Sequence, residues 1–143
     1  RSMPSHVAGV VTDLMWNANV PAGEAKVLLL GWSYKAEVGD PRETPAEPLA
    51  ATLLGKNITV GAWDPHIDSS LYPEGVVPVE DISDAEGYDL VILVTAHKAC
   101  LEIDWSALLD RMRTPIVYDG RRVLDLNELK SMGWATHAVG KPV

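Results

Sequence analysis

Cations stand just past two of the apolar runs in this chain. Lys35 and Arg42 lie in the polar stretch Gly31-Trp32-Ser33-Tyr34-Lys35-Ala36-Glu37-Val38-Gly39-Asp40-Pro41-Arg42-Glu43, which follows Val27–Leu30. Arg121 and Arg122 follow the run ending at Tyr118. An ammonium or guanidinium beside a strand end suits an anion, and the planar arginine fork suits phosphate in particular. Lys35 is the leading ligand contact, being close to its strand end. Arg42 could touch the same anion or pair with Asp40 or Glu43 and fix the loop, and the second role is favoured. Tyr34 and Trp32 could stack on a flat ring, although Trp32 equally suits the core. Asp64 ends another apolar run. It could accept from a sugar hydroxyl, or turn the chain before Pro65. His97 ends a further run on the same side, and a hydrogen-bonded or capping histidine is the more ordinary reading.

Other chemistries find no support. Gly31 stands alone, without the Gly-x-Gly-x-x-Gly spacing that brings a backbone against a dinucleotide pyrophosphate. Gly55-Lys56 matches only the end of a phosphate-loop motif and sits at a predicted helix end. Cys100 neighbours His97 and Lys98, which would favour a thiolate if they faced it, but a small buried apolar residue is the simpler reading. The four histidines and scattered carboxylates show no metal-ligand spacing, so no metal is expected. No residue is expected to be catalytic.

The elements that position these residues follow from periodicity. Short continuous apolar runs at Val27–Leu30, Ile58–Trp63 and Asp89–Thr95 predict strands buried on both faces, with further strands at Pro115–Tyr118, Trp134–Val139 and, briefly, Val76-Val77. Thr44, Pro45 and Glu47 have the spacing of a capping box with proline in the first helical position. They predict a helix that runs to a Gly55 stop, with its first turn distorted by Pro48. Asp104–Met112 predicts another helix, and Asp125-x-x-Glu128 opens one that Gly133 ends. Val7, Val10, Val11, Leu14 and Met15 give a helical stripe near the start, followed by a turn-rich link from Asn17 to Glu24. Strands alternating with helices predict an α/β fold: a doubly wound, mostly parallel, Rossmann-like sheet with helices on both faces. In such a fold, loops at the carboxyl ends of the strands bind ligands.

The composition is that of one globular domain, with 143 residues, 47% hydrophobic and 22% charged. A net charge of −8 argues against nucleic acid or an anionic membrane as partner. No apolar run reaches membrane-spanning length, and a single cysteine suits a reducing compartment, so a cytoplasmic location is expected.

Gly31-x-x-Tyr34-Lys35 followed by Asp40-x-Arg42-Glu43-Thr44-Pro45-Ala46 resembles the opening of the C-terminal domain of UDP-glucose/GDP-mannose dehydrogenases. Trp63-Asp64-Pro65 and Tyr118-Asp119-Gly120-Arg121-Arg122 resemble two later motifs of that domain, in the same order. The resemblance implies that residues 23–143 form the UDP-binding domain and that residues 1–22 are a helix and link from a dimerisation region. It also implies an NAD-dependent UDP-sugar 6-dehydrogenase, which oxidises the sugar C6 alcohol to a carboxylate. The family's nucleotide-contacting arginine falls on Arg121. NAD and the catalytic cysteine belong to parts outside this chain, so the chain alone is expected to bind no cofactor and to be inactive. The implied partners are a UDP-sugar, the missing domains and further copies in a homo-oligomer. The sugar stays open, with Thr44-Pro45-Ala46 leaning towards N-acetylhexosamine substrates. A non-catalytic dimerisation module or a receiver-like signalling domain is the competing reading. The receiver needs an acidic pair after the first strand, where Gly31-Trp32 stands.

Overall fold

The computed structural model describes residues 3–140. Six strands form one parallel sheet: β1 (Lys26–Leu30), β2 (Thr59–Trp63), β3 (Val76–Pro78), β4 (Leu90–Leu93), β5 (Ile116–Asp119) and β6 (Ala135–Ala138). Their order is β3-β2-β1-β4-β5-β6, with every neighbouring pair parallel. Five helices accompany them: α1 (Met3–Asn17), α2 (Ala46–Gly55), α3 (Lys98–Leu101), α4 (Trp105–Arg111) and α5 (Leu126–Met132). The doubly wound, Rossmann-like α/β fold is therefore present.

Both faces of the sheet are covered, which explains why its strands read as unbroken apolar runs. Val27 and Leu29 of β1 join Leu90 and Ile92 of β4 in a core closed by α1 and α2. Leu28, Leu30, Val91 and Leu93 point the other way, into a core with Trp105, Leu108, Leu129 and Trp134 of α4, α5 and the turn after α5. The direction of winding changes between β1 and β4, so the carboxyl ends of these strands and the loops that follow them define the crevice of the fold.

The stripe on α1 packs onto the domain itself: Val7, Ala8, Val11 and Met15 are buried, and α1 packs along α2. Trp16 projects from the described part of the helix, 67% exposed. α2 ends at Gly55 as expected, but the left-handed cap residue is Asn57, not Gly55. Asn57 takes φ +65°, while Ile58 N–H reaches back to the Leu53 carbonyl at 3.1 Å. This is a left-handed cap of the kind asparagine tolerates. Pro48 leaves α2 continuous, because its missing donor falls in the first turn, where N–H groups have no intrahelical acceptor. The Thr44 hydroxyl accepts from Ala46 N–H at 3.1 Å, two residues on instead of three. Asp104 and Asp125 cap α4 and α5 through Ala107 and Glu128 N–H groups, and Gly133 closes α5 at φ +119°. The four-residue α3 had no periodic signal. No helix among the described residues is long and apolar enough to cross a membrane.

Candidate functional site

The loop from Gly31 to Pro45 leaves β1 across the crevice. Gly31 takes φ +92° and lies so close to Thr95 that any Cβ would collide with it. Thr95 Oγ1 donates to the Ser33 carbonyl at 2.8 Å, tying the loop to the end of β4. Further on, Tyr34 N–H donates to the Asp40 carbonyl at 2.7 Å and closes the outer part of the loop. Gly39 presses against the His66 carbonyl, where a side chain could not fit. Arg42 places Nε and Nη2 on the two Asp40 carboxylate oxygens, at 3.0 and 2.9 Å. These hydrogen bonds hold the Asp40 carboxyl down to about 2. The Arg42 fork is thus spent inside the loop, although 84% of the side chain faces solvent. Tyr34 and Lys35 project outward, and among the described residues Lys35 has no ion-pair or hydrogen-bond partner for its ammonium.

Beneath the loop sits Asp64, with no exposed side-chain surface. Its Oδ2 accepts from Trp32 N–H (2.6 Å), Ser33 N–H (2.8 Å), Ser33 Oγ (2.8 Å) and His97 Nε2 (2.8 Å), and its Oδ1 from His66 N–H (2.8 Å). Burial alone would push this carboxyl up. The donors from His97, Trp32, His66 and Ser33 outweigh it and hold the group well below the usual carboxylate range. His97 is equally enclosed. Its Nδ1 accepts from Glu37 N–H at 3.0 Å, so the ring proton sits on Nε2 and donates to Asp64. Trp32 is buried edge-on against Tyr72, with ring centroids 5.1 Å apart. Asp64 and His97 therefore spend their polar atoms on protein partners, and the Trp32 ring faces the core. Together they join the loops after β1, β2 and β4.

The loop after β5 has its own anchor. The buried Asp119 accepts from the N–H groups of Arg121 (2.9 Å), Arg122 (2.8 Å), Val123 (2.8 Å) and Leu124 (2.7 Å). Arg122 takes φ +59°, and the two arginines part company. Arg121 lines a pocket with Val7, Pro45, Leu49, Val94 and Gly120, whereas Arg122 lines another with Asp125, Leu126 and Asn127. The Arg121 guanidinium has no ion-pair or hydrogen-bond partner among the described residues.

Sequence reasoning missed the anchoring roles of Ser33, Thr95, Glu37 and Asp119. Only Asp119 left a signal, as an Asx residue before glycine at a strand end. It also gave no sign that Glu37, His66 and His97, distant along the chain, place ligand-type atoms within 4.8 Å of one another. Cys100 is buried, its Sγ–H directed at the Thr95 carbonyl at 3.6 Å, and burial pushes its thiol up to about 12. That is inert for nucleophilic work at neutral pH. The edge offers exposed cations on loops held rigidly from below, an arrangement suited to gripping an anion.

A Rossmann-like sheet with cationic loops at its carboxyl edge defines a nucleotide-binding class of domain. The chain belongs to the UDP-glucose/GDP-mannose dehydrogenase family: residues 28–126 match that family's UDP binding domain. UDP-glucose 6-dehydrogenase from Rickettsia conorii is 29% identical over 122 residues, which cover 82% of this chain and 28% of that protein. The UDP-N-acetyl-mannosamine dehydrogenase structure from Staphylococcus aureus is 27% identical, with a TM-score of 0.72, over 87% of this chain and 28% of that one. An NDP-N-acetyl-D-galactosaminuronic acid dehydrogenase from Methanosarcina mazei, 21% identical, superposes with a TM-score of 0.85 over 97% of this chain and 29% of its own, which shows the shared fold. The chain thus spans less than a third of the length of these relatives.

Proposed function

We propose that this chain grips the uridine diphosphate of a UDP-sugar within an NAD-dependent dehydrogenase that oxidises the sugar C6 alcohol to a carboxylate. The observation that carries this reading is the pair of unpaired cations, Lys35 and Arg121, on the β1 and β5 loops of a domain belonging to the UDP-binding family. Lys35 meets the diphosphate as a point charge and Arg121 as a fork, with Tyr34 beside them at the loop surface. Arg42 braces the loop through Asp40. Trp32, Asp64 and His97 hold its base and act on the ligand through it. Binding energy gathered on the nucleotide, far from the reacting carbon, positions the sugar for hydride transfer.

NAD is held by another part of the enzyme in this reading. The absent glycine fingerprint and the contact of Gly31 with Thr95 support that division, because they leave no close backbone approach for a pyrophosphate beside β1. Residues 1–22 lead from a dimerisation region into residues 23–143, and the assembled enzyme is a cytoplasmic homo-oligomer.

The test is calorimetry of UDP with the dehydrogenase that carries these residues. Lys35→Ala removes a charge-assisted contact worth roughly 1.5–3 kcal/mol, which lowers UDP affinity by about one to two decades. Unchanged UDP affinity in a folded Lys35→Ala protein overturns the assignment.

A further inference from the structure

The carboxyl edge holds one cluster that nucleotide binding leaves unused. Glu37 comes from the β1 loop, His66 from the turn after β2 and His97 from the turn after β4. His97 Nδ1 lies 3.6 Å from Glu37 Oε2, and His66 Nε2 lies 3.8 Å from Glu37 Oε1. The two imidazole rings stand 4.5 Å apart, tilted at 46°. We propose that Glu37, His66 and His97 form a binding site for a divalent transition-metal ion of the zinc class.

Metal–ligand bonds of about 2.0–2.1 Å in a tetrahedron set ligand atoms roughly 3.3 Å apart. One ligand atom from each of the three residues lies within 4.8 Å of the other two, so the exposed Glu37 and His66 side chains close in on the buried His97 ring as the ion binds. Two imidazoles with one carboxylate select zinc-like ions over magnesium or calcium, which take all-oxygen sets. Three protein ligands leave a fourth position, and the exposed side of Glu37 opens it to water.

The surroundings supply a second, independent observation. Asp64 holds His97 Nε2 at 2.8 Å, which fixes the tautomer that turns the Nδ1 lone pair towards Glu37. A carboxylate behind a histidine is the usual partner of a metal-ligating imidazole, orienting the ring and raising its basicity. Glu37 is itself oriented, since Lys98 N–H donates to its Oε2 at 2.6 Å.

One contact must yield. Glu37 N–H occupies Nδ1 of His97 at 3.0 Å, and the ion takes its place. Glu37 sits in an exposed turn at φ +64°, where its amide can turn towards water as the lone pair is freed.

The test uses the metal-free 143-residue chain. Zn2+ is titrated by calorimetry against a competing chelator, and Co2+ is added separately to read its ligand-field absorption. The expected result is one ion per chain, a tetrahedral Co2+ spectrum and a thermal midpoint raised by Zn2+. Glu37→Gln and His66→Ala, both at solvent-facing positions, keep the fold by circular dichroism and each weaken Zn2+ by about tenfold or more, the scale on which even outer-shell partners act. His6→Ala, on α1, binds as the parent does. Absence of stoichiometric binding overturns the proposal, and so does parent-like affinity in both Glu37→Gln and His66→Ala.

Discussion

Asp64→Asn tests whether one buried carboxylate holds the candidate site together. Asparagine keeps the shape but can present only one oxygen. Four donors converge on Oδ2 and one on Oδ1. The better orientation puts the amide oxygen at the Oδ2 position, and the NH2 group then faces His66 N–H. That orphans a buried donor, at about 1–3 kcal/mol, while the remaining bonds lose their charge assistance. Relief of the buried charge offsets part of the loss, leaving a destabilisation of about 3–5 kcal/mol. A domain of this size has about 5–15 kcal/mol in total, so the shift is large. Urea unfolding in metal-free buffer, followed by tryptophan fluorescence and circular dichroism, reads it as a lower midpoint at constant slope. Asp81→Asn is the control. Asp81 also accepts from a backbone N–H and a hydroxyl, those of Ser83, but at the exposed surface, so its loss is much smaller. Equal losses for the two variants refute the reasoning.

Two other outcomes follow from geometry. Arg121→Lys weakens UDP binding despite conserving charge, while Arg122→Lys, facing a different pocket, leaves it nearly unchanged; titration at fixed salt compares them, and equal losses mean a diffuse positive patch. Burial opposes ionisation of Asp89, but Arg113, Lys26 N–H and Thr114 donate to it and hold its carboxyl below the ordinary 3.8. A folded-state pKa below the unfolded one means the stabilisation is present above about pH 4 and disappears as pH falls through the folded value. The stability difference between the parent and Asp89→Asn, measured by urea midpoints from pH 6 to 2, should therefore shrink towards the acid end.

The sheet was legible because burial on both faces leaves an unbroken apolar run, as in Val27–Leu30 and Leu90–Leu93. Lys35 and Arg121 were legible as cations beside strand ends. What each buried polar residue does was not. Asp64 reads as a turn residue before proline, and nothing along the chain says that five donors from three loops will meet there. The Asp40 partner of Arg42 was within reach of local reasoning, being two residues away. Glu37 was silent, since its neighbours arrive only when β1, β2 and β4 align. The left-handed cap of α2 was misplaced, although the helix end was not, because Gly55 competes with Asn57 for that position, and the register of Leu53 against Ile58 decides it.

Helix α1 lies wholly before residue 28, where the family match begins. A domain trimmed to that match would lose Val7, Val11 and Met15 from its interior, at about 1.5–3 kcal/mol for each buried side chain. That sum rivals the whole stability of an ordinary domain. It would also strip Val7 from the wall of the pocket that Arg121 lines. The boundary of similarity and the boundary of foldability therefore fall in different places here. Any graft or exchange of this nucleotide-gripping unit between relatives must carry the preceding helix with it, and must match that helix to the α2 it rests on.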